Sequence, residues 1–540
     1  MQVDNATLAL ASAVAVALAV NYKLRPPPPQ VNPFLLGRQS VASPTRHSGE
    51  SPVYTNYSNG GVRAPYRPDR NIRTVRDILD QSGTVLEGGQ RGLWIQGGEK
   101  LVDVVTALRA GLVQRLGGDA GRVLVALEDP TDALLVILAL ATSSYRPVVI
   151  PPAAGCHSDL DVLAVVGTSE ALATTSSSAA RQVLLDHADE AKELLSDGRR
   201  LVSEGRDGAA DTGDVNDIVL TMVSDGVPLE FTNQNLTASL VSWLSLFPVS
   251  PKPTKPTIKD YVISLHHPST PFGLGLALFT IFQSASISLP TPSAEPTPED
   301  LLALFSLKSA PPATLIFAPA KTFVDPLYTL VLQQLDGDAS FIVRHARDGK
   351  LRLLREGTVS KQTFWDSILW KGLRKDIHLT SLRAIYLSSP PAIEQSRLDT
   401  LRCALGCPTV AAYEHPLLLA PLSVGHMWDV QRLPPPGAKW LTGEEKSHVG
   451  APTVGMEVKL RGDEADMTDG RIKGEILVRT PVLPAPTSLP SSLLLTDDSL
   501  PQLPPYPGQA ASTTSAGQKW LRTGVLAEMS TEGTLWLQEA

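Results

Sequence analysis

A short polar turn in the first half of the chain has the composition from which proteins build phosphate-binding sites. Ser224, Asp225 and Gly226 follow an apolar run typical of a buried strand, and Thr232 begins a Thr-Asn-Gln-Asn sequence typical of a helix start. Small residues let backbone N–H groups approach a phosphate, which also requires a cation. Residues 218–236 contain no Lys or Arg. Taken alone, the turn is therefore interpreted as an ordinary connection between a strand and a helix.

The three cysteines of the 540-residue chain are too few for a disulfide framework and favour a reducing compartment. Cys403 and Cys407 lie four residues apart and would share one face of a helix. No second pair of Cys or His residues lies nearby in the sequence, so we interpret both thiols as core residues rather than metal ligands. No metal-binding residue is predicted.

The elements that would position such a turn follow an alternating pattern from residue 74 onward. Short apolar runs alternate with amphipathic segments, which predicts an α/β fold with mainly parallel sheets. Helices are predicted at 104–116 and 132–141, and buried strands at 122–127, 146–150, 314–318 and 382–387. Near the end of the chain, two alternating segments predict a small antiparallel unit; they are residues 456–460 and 474–478.

Further motifs follow the polar turn in a fixed order. They are residues 266–277, 311–319, 381–389, 405–413, 450–458, 473–479 and 520–528. Together with the turn they resemble the motifs of the adenylate-forming (AMP-binding) superfamily, and the arm around Asn32 resembles that of the long-chain acyl-CoA synthetases. The resemblance implies the superfamily's large N-terminal domain. That domain has two βαβ-type subdomains with mainly parallel sheets and a small antiparallel β subdomain.

The resemblance also assigns roles to individual residues and implies ATP, Mg²⁺ and CoA as ligands. The residues matched to nucleotide contacts are Thr221, Ser224, Asp225, Gly226, Tyr413, Arg522 and Thr523. The residues matched to the site for a fatty acid or acyl group are His267, Gly273 and Ser389.

Several charged residues that this chemistry requires are replaced. The loop lysine corresponds to Leu229 or to Asp225, depending on the alignment, and an aspartate there would repel phosphate. The Mg²⁺-linked glutamate corresponds to Leu417 and the ribose-binding aspartate to Val525, with Glu414 a candidate carboxylate in a shifted position. The small C-terminal domain that the resemblance implies would begin beyond the last residue. The chain is therefore predicted to be a degenerate synthetase-like protein.

Three functions fit this combination of motifs and losses. The first is a long-chain fatty acid–CoA ligase-like protein of fatty-acid metabolism that is catalytically degenerate and has a fatty acid or active acyl-CoA synthetases as partners. The second is an active synthetase whose C-terminal domain comes from a partner chain. The third is a non-catalytic membrane tether or scaffold. A net charge of −8 without a long basic run argues against nucleic acid as a partner.

The N-terminus predicts a membrane anchor. Residues 7–20 form an uninterrupted run of small and apolar side chains, which is shorter than the ~20 residues that span a bilayer as a helix. Positive charge follows at Lys23 and Arg25, and the positive-inside rule then places the rest of the chain in the cytosol. We expect attachment to the endoplasmic reticulum or to lipid droplets.

The composition divides the chain into four predicted parts. They are an anchor with a proline linker at 1–30, an extended arm at 31–73, AMP-binding-like α/β subdomains at 74–425, and an antiparallel β subdomain at 426–540. Within the last part, residues 483–516 are rich in Pro, Ser and Leu and predict a flexible insertion. Hydrophobic residues make up 43% of the chain, which supports large buried cores.

Overall fold

Three β-sheets organise the chain in a computed structural model. Two sheets are mainly parallel and the third is antiparallel, which confirms the predicted α/β class with its small antiparallel subdomain. The structure describes residues 10–16, 18, 30–59, 65–84, 99–117, 120–151, 162–168, 181–185, 188–209, 213–224, 226–248, 254–291, 293, 295–307, 310–335, 341–430, 446–467, 472–496 and 519–538.

The arm is more regular than its composition predicts. It contains a short helix α1 (Pro33–Leu36), strands β1 (Ser40–Ala42) and β2 (Tyr54–Asn56), and a 3₁₀ turn at Tyr57–Asn59. Strand β2 pairs with β1 and with a strand far along the chain, at Glu457–Arg461. The arm is thus the edge of the third sheet, and its regularity comes from this long-range pairing.

The first sheet has five parallel strands and a sixth strand that pairs antiparallel at one edge. Its strands are β3 (Arg122–Ala126), β4 (Arg146–Val149), β5 (Ala164–Gly167), β6 (Arg181–Leu184), β7 (Ile218–Ser224) and β8 (Val227–Thr232). The spatial order is β6-β5-β3-β4-β7-β8, and only β7 and β8 pair antiparallel. The helices of this part are α2 (Val75–Asp80), α3 (Leu101–Leu116), α4 (Pro130–Ala141), α5 (Ala188–Ser203) and α6 (Asn233–Leu244).

The second sheet is parallel except at one edge. Its strands are β9 (Tyr261–Ser264), β10 (Ser286–Ser288), β11 (Leu315–Pro319), β12 (Ala384–Ser389), β13 (Thr409–Tyr413), β14 (Ser423–Val424) and β15 (Ala451–Pro452). The order is β10-β9-β11-β12-β13-β14-β15, with β14 and β15 antiparallel. The helices are α7 (Pro271–Phe282), α8 (Pro298–Phe305), α9 (Ala320–Gln333), α10 (Phe341–Arg355), α11 (Lys371–Asp376) and α12 (Gln395–Leu405). A π-helical turn at Asp366–Trp370 leads into α11.

The third sheet is antiparallel throughout. Its later strands are β16 (Glu457–Arg461), β17 (Ile472–Arg479), β18 (Leu494–Thr496), β19 (Lys519–Met529) and β20 (Leu535–Leu537), with 3₁₀ turns at Glu464–Met467, Pro486–Ser488 and Ser491–Leu493. The order is β1-β2-β16-β17-β19-β18, and β20 also pairs with β19. The first part of the predicted flexible insertion contains two of these 3₁₀ turns and β18, which pairs with β19. The rest of the insertion, from residue 497, lies outside the described residues.

Cys403 and Cys407 are buried, as predicted, and burial raises the pKa of the Cys407 thiol to about 12.

The predicted membrane anchor is described only in part. Residues 10–16 and 18 are helical, while the remainder of the apolar run lies outside the described residues. Within the part of the chain that is described, no helix is both long and apolar enough to cross a membrane.

Aromatic rings fill the space between α6, α7 and the second sheet. The buried Trp243 ring lies 5.0 Å from Phe272, 5.9 Å from Phe279 and 5.8 Å from Phe317 between centroids. Its Nε1 donates a hydrogen bond of 2.9 Å to the Leu419 carbonyl oxygen. This bond ties the helices to the segment that follows β13.

Gly275 makes that contact possible. A Cβ atom at Gly275 would lie 1.8 Å from the Leu419 carbonyl oxygen and 3.1 Å from Trp243 Nε1. We expect Gly275→Ala to lower the unfolding free energy by about 3 kcal/mol, because the overpacked segment must shift. Urea unfolding measures the change. Gly372→Ala is the control, since Gly372 lies in a helix with open space around it; equal stability of the two variants would contradict the prediction.

Candidate functional site

The carboxyl ends of three parallel strands bring four residues together. Ser389 ends β12 and pairs in register with Tyr413, which ends β13. The Glu414 amide donates to the Ser389 carbonyl oxygen at 2.9 Å. His266 follows β9, and its Nδ1 lies 3.5 Å from Glu414 Oε2. We define His266, Ser389, Tyr413 and Glu414 as the strand-end cluster, at the edge where α/β folds place ligands.

The third sheet meets the strand-end cluster at Thr523. Burial raises the pKa of Tyr413, and the nearby Thr523 side chain opposes the rise. The Tyr413 hydroxyl is buried, and the Thr523 side chain is the polar group beside it. Thr523 Oγ1 donates to the Ile476 carbonyl oxygen at 2.9 Å and accepts from the Val525 amide at 3.2 Å. The structure thus joins three residues that sequence reasoning selected, namely Ser389, Tyr413 and Thr523.

The strand-end cluster has little capacity to bind an anion. Burial lowers the pKa of His266 although Glu414 opposes the effect, so the imidazole is neutral near pH 7. Tyr413 is likewise neutral. The cluster then holds one carboxyl group and three neutral groups, a set that repels phosphate rather than attracting it.

The polar turn closes as a tight hairpin. Pairing between β7 and β8 runs through Ser224 and Val227, so only two residues separate the last pair. Gly226 has a φ of 78°, the left-handed value that such turns require. Asp225 lies outside the described residues. Thr221 is buried inside β7, paired with Val148, and so lies in the strand rather than in the turn.

A segment of the third subdomain covers the outer edge of this hairpin. The Ala485 amide donates to the Glu230 carbonyl oxygen at 2.7 Å, and the Glu230 amide donates to Ser488 Oγ at 3.2 Å. Asn235, in the first turn of α6, donates to the Pro481 carbonyl oxygen at 2.8 Å. The hairpin is therefore held between two subdomains.

His267 and Gly273 join the two α/β subdomains. His267 Nδ1 accepts from the Ser269 amide at 3.1 Å and Nε2 lies 3.2 Å from the Glu128 carbonyl oxygen. These partners set the neutral tautomer with its proton on Nε2, and they link the end of β3 to the end of β9. A Cβ at Gly273 would lie 2.1 Å from the His267 carbonyl oxygen. His267 and Gly273, two of the three residues predicted for the acyl site, thus have a packing role.

Arg522 lies apart from the strand-end cluster. Its guanidinium contacts the Glu475 carboxylate at 2.8 Å, and this hydrogen bond and charge raise the pKa of Arg522. Successive residues of a strand face opposite sides, so Arg522 points away from the side of Thr523. Its cation is committed to Glu475 at the surface.

Leu417 and Val525 occupy packed positions. Leu417 is 8% exposed, and its amide donates to His415 Nδ1 at 3.3 Å. Val525 is partly buried against the main hydrophobic core. Neither position offers a ligand atom in its side chain, so Leu417 cannot hold Mg²⁺ and Val525 cannot accept a hydrogen bond from the ribose, the contacts that the resemblance assigns to these positions. In the described ranges, no group of three or more His, Cys, Asp or Glu side chains is arranged to hold a metal ion.

The pairing of His266 with Glu414 escaped sequence reasoning. His267 was predicted as a site residue, and Glu414 was considered only as a displaced carboxylate. The usable signal was position, since His266 and Glu414 each lie within two residues of the end of a strand of the second sheet.

A separate cavity of about 630 Å³ is lined by arm residues 65–71, Val215 and Gln234. Val215 precedes β7, so this cavity lies near the start of a strand of the first sheet.

Acidic pH is expected to destabilise the fold through buried histidines. Burial lowers the pKa values of His266, His267 and His426 below that of an unfolded histidine. The unfolded chain therefore binds protons that the folded chain does not, and stability falls as the pH drops below about 6.5. Urea unfolding at pH 7.5 and 5.0 measures the loss.

His267→Asn separates this effect from general acid unfolding. An Asn side chain accepts the Ser269 amide without titrating, so the variant should show a smaller loss between the two pH values. Identical losses in the wild type and the variant would show that His267 does not contribute.

Solved structures of adenylate-forming enzymes share this fold. A long-chain-fatty-acid-CoA ligase from Archaeoglobus fulgidus is 14% identical, with a TM-score of 0.59, and the match covers 89% of this chain and 86% of that chain. The N-terminal domain of FACL13 from Mycobacterium tuberculosis is 13% identical, with a TM-score of 0.55, and the match covers 87% of this chain and 100% of that domain.

A third structure was solved with a nucleotide analogue. The nonribosomal peptide synthetase FmoA3, in an AMPPNP-bound form, is 13% identical with a TM-score of 0.56, and the match covers 89% of this chain and 44% of that chain. No protein-family model matches the sequence, and no curated protein matches it significantly. The chain therefore has the fold of the N-terminal domain of adenylate-forming enzymes.

Proposed function

We propose that this chain is a long-chain fatty acid–CoA ligase-like member of the adenylate-forming superfamily that does not activate fatty acids by itself. The fold and the order of its motifs support the ancestry. The replacement of the loop lysine and of two carboxylates supports the proposed loss of catalytic activity. Its role is that of a non-catalytic protein of fatty-acid metabolism, and its partners are acyl groups or active acyl-CoA synthetases.

The observation that carries this proposal is the closed hairpin at Ser224–Val227. Binding of the ATP phosphates needs several backbone N–H donors and a cation that converge on one point. Here two residues separate the paired strands, and residues 218–236 contain neither Lys nor Arg. The neutral and acidic strand-end cluster, Leu417 and Val525 add no compensating charge.

A second role, as a membrane tether, is favoured by the N-terminal helix. Its apolar side chains are more than half exposed, at 68% for Leu10, 51% for Val14, 62% for Val16 and 63% for Leu18. Exposed apolar side chains in a continuous run mark a contact surface. We propose that this helix attaches the chain to the cytosolic face of the endoplasmic reticulum or of lipid droplets.

Calorimetric titration of Mg²⁺·ATP into the full-length protein tests the degenerate-ligase proposal. We expect no saturable heat up to millimolar nucleotide, because no described group replaces the lost cation and carboxylates. An active acyl-CoA ligase titrated under the same conditions is the positive control. Saturable binding of ATP in the micromolar range would overturn the proposal.

A further inference from the structure

Four large apolar side chains are exposed on α10 and on the helical residues 364–370 that contain the π-helical turn. The exposed fractions are 80% for Phe341, 52% for Ile342, 66% for Phe364 and 56% for Ile368. We call these four residues the apolar patch. Soluble proteins seldom expose so many large apolar side chains together, so the patch marks a contact surface.

Ring contacts connect the two phenylalanines of the patch. The Phe341 ring stacks on His345 at 5.9 Å, His345 contacts Trp365 at 5.4 Å, and Trp365 contacts Phe364 at 5.3 Å between centroids. Trp365 packs on Gly349 of α10, where an added Cβ would lie 3.1 Å from the indole ring. The two helical segments therefore present one surface.

Cations outnumber acidic residues in the segment that carries the apolar patch. Residues 341–376 contain nine Lys and Arg against four Asp and Glu. Without the buried Lys350, Arg374 and Asp366, seven cations remain against three acidic residues, a net charge of +4 in a chain whose net charge is −8. Lys371 and Lys375 are exposed and follow Ile368 by three and seven residues, so they lie on its side of the helix. Apolar side chains flanked by cations fit the surface of an anionic bilayer.

Gln30 is hydrogen-bonded to the chain just after α10. Gln30 Nε2 donates to the Val359 carbonyl oxygen at 2.8 Å, and the Val359 amide donates to Gln30 Oε1 at 3.0 Å. The Gln30 amide also donates to the Gly357 carbonyl oxygen. Twelve residue steps separate Leu18, in the exposed apolar helix, from Gln30, so the chain length limits Leu18 to within about 43 Å of this point.

We propose that the apolar patch inserts into the surface of an anionic lipid bilayer and forms a second membrane contact beside the N-terminal helix. A single short apolar segment gives marginal, reversible attachment, and stable attachment takes two signals. The second contact also fixes the orientation of the α/β subdomains on the membrane. This inference is independent of whether the chain binds nucleotide or fatty acid.

Vesicle flotation of the full-length protein tests the second contact. Vesicles of phosphatidylcholine with 30 mol% phosphatidylserine are titrated at low lipid concentration, and the apparent partition coefficient is measured. The double variant Phe341→Asp/Phe364→Asp should lower this coefficient at least about tenfold, because two large side chains no longer enter the bilayer. Lys371→Glu/Lys375→Glu should weaken the dependence on phosphatidylserine.

Ile258→Asp is the matched control. Ile258 is as exposed as Phe364, at 66%, but lies in the loop before β9. The control should leave partitioning unchanged. The proposal is overturned if the wild type does not float, or if the patch variant partitions like the wild type and the control.

Trp365 provides a readout that requires no destabilising change. Phosphatidylcholine brominated on its acyl chains quenches tryptophans that reach the bilayer, so vesicle binding should quench the fluorescence of the wild type. Trp365→Phe should remove most of this quenching. Equal quenching in the variant, or none in the bound wild type, would show that the patch does not enter the membrane.

Discussion

Full-length protein supplied with ATP, Mg²⁺, CoA and palmitate is expected to form palmitoyl-CoA at least about 10⁴-fold more slowly than an active long-chain ligase, since each lost electrostatic contact costs about 10²–10³ in rate. Because such losses do not simply multiply, the estimate of about 10⁴-fold counts only two losses of about 10² each. In the proposed degenerate ligase, the lost contacts are the loop cation and the two carboxylates whose places the resemblance assigns to Leu417 and Val525. Chromatographic quantification of palmitoyl-CoA measures the rate.

Restoring carboxylates alone should not recover this activity. The variants Leu417→Glu and Val525→Asp, singly and combined, should remain below detection, because the hairpin between Ser224 and Val227 still lacks a cation. A wild-type rate within a hundredfold of the active ligase would contradict the prediction. So would recovery of the rate by Val525→Asp alone.

The Asp366→Ala variant is expected to lose about 3–5 kcal/mol of unfolding free energy, because it leaves two buried cations without their counterion. Asp366 Oδ1 lies 2.8 Å from Arg374 and Oδ2 lies 2.5 Å from Lys350, and all three side chains are 4% exposed. Burial would raise the pKa of Asp366, but Lys350 and Thr363 hold it below its usual value. Lys350 can lose its proton when Asp366 is removed, whereas Arg374 cannot.

Urea unfolding of Asp366→Ala against the wild type gives this difference. Asp376→Ala, at an exposed position in α11, is the control and should change stability by less than about 0.5 kcal/mol. A loss below 1 kcal/mol for Asp366→Ala would show that the ion pairs of Asp366 with Lys350 and Arg374 do not support the fold. A large loss would show that these ion pairs hold α10 to the π-helical turn.

The parallel strands were predictable because their sequences carry the burial pattern themselves. Strand β3 is an apolar, β-branched run buried on both faces, and α4 begins with an Asp129 cap and Pro130. The two alternating segments near the end of the chain likewise fall on β16 and β17. These elements differ from prediction only by one or two residues at their ends.

The missed features depend on contacts between distant parts of the chain. Strands β1, β2 and β18 are three residues long, and each becomes a strand through pairing with a neighbour. The contact between His266 and Glu414 requires knowing the strand order of the second sheet. For the polar turn, the sequence alone favoured an ordinary turn and the later motifs favoured a degenerate phosphate loop, while the register of Ser224 with Val227 shows a two-residue hairpin at this place.

Fatty-acid-dependent exchange of labelled pyrophosphate into ATP tests most directly whether the chain activates fatty acids. This exchange reports formation of the acyl-adenylate alone, and it needs neither CoA nor the thioester-forming step. We expect that full-length protein with palmitate and Mg²⁺ gives no more exchange than a reaction without protein. Palmitate-dependent exchange above that background would contradict it and show that the chain activates fatty acids.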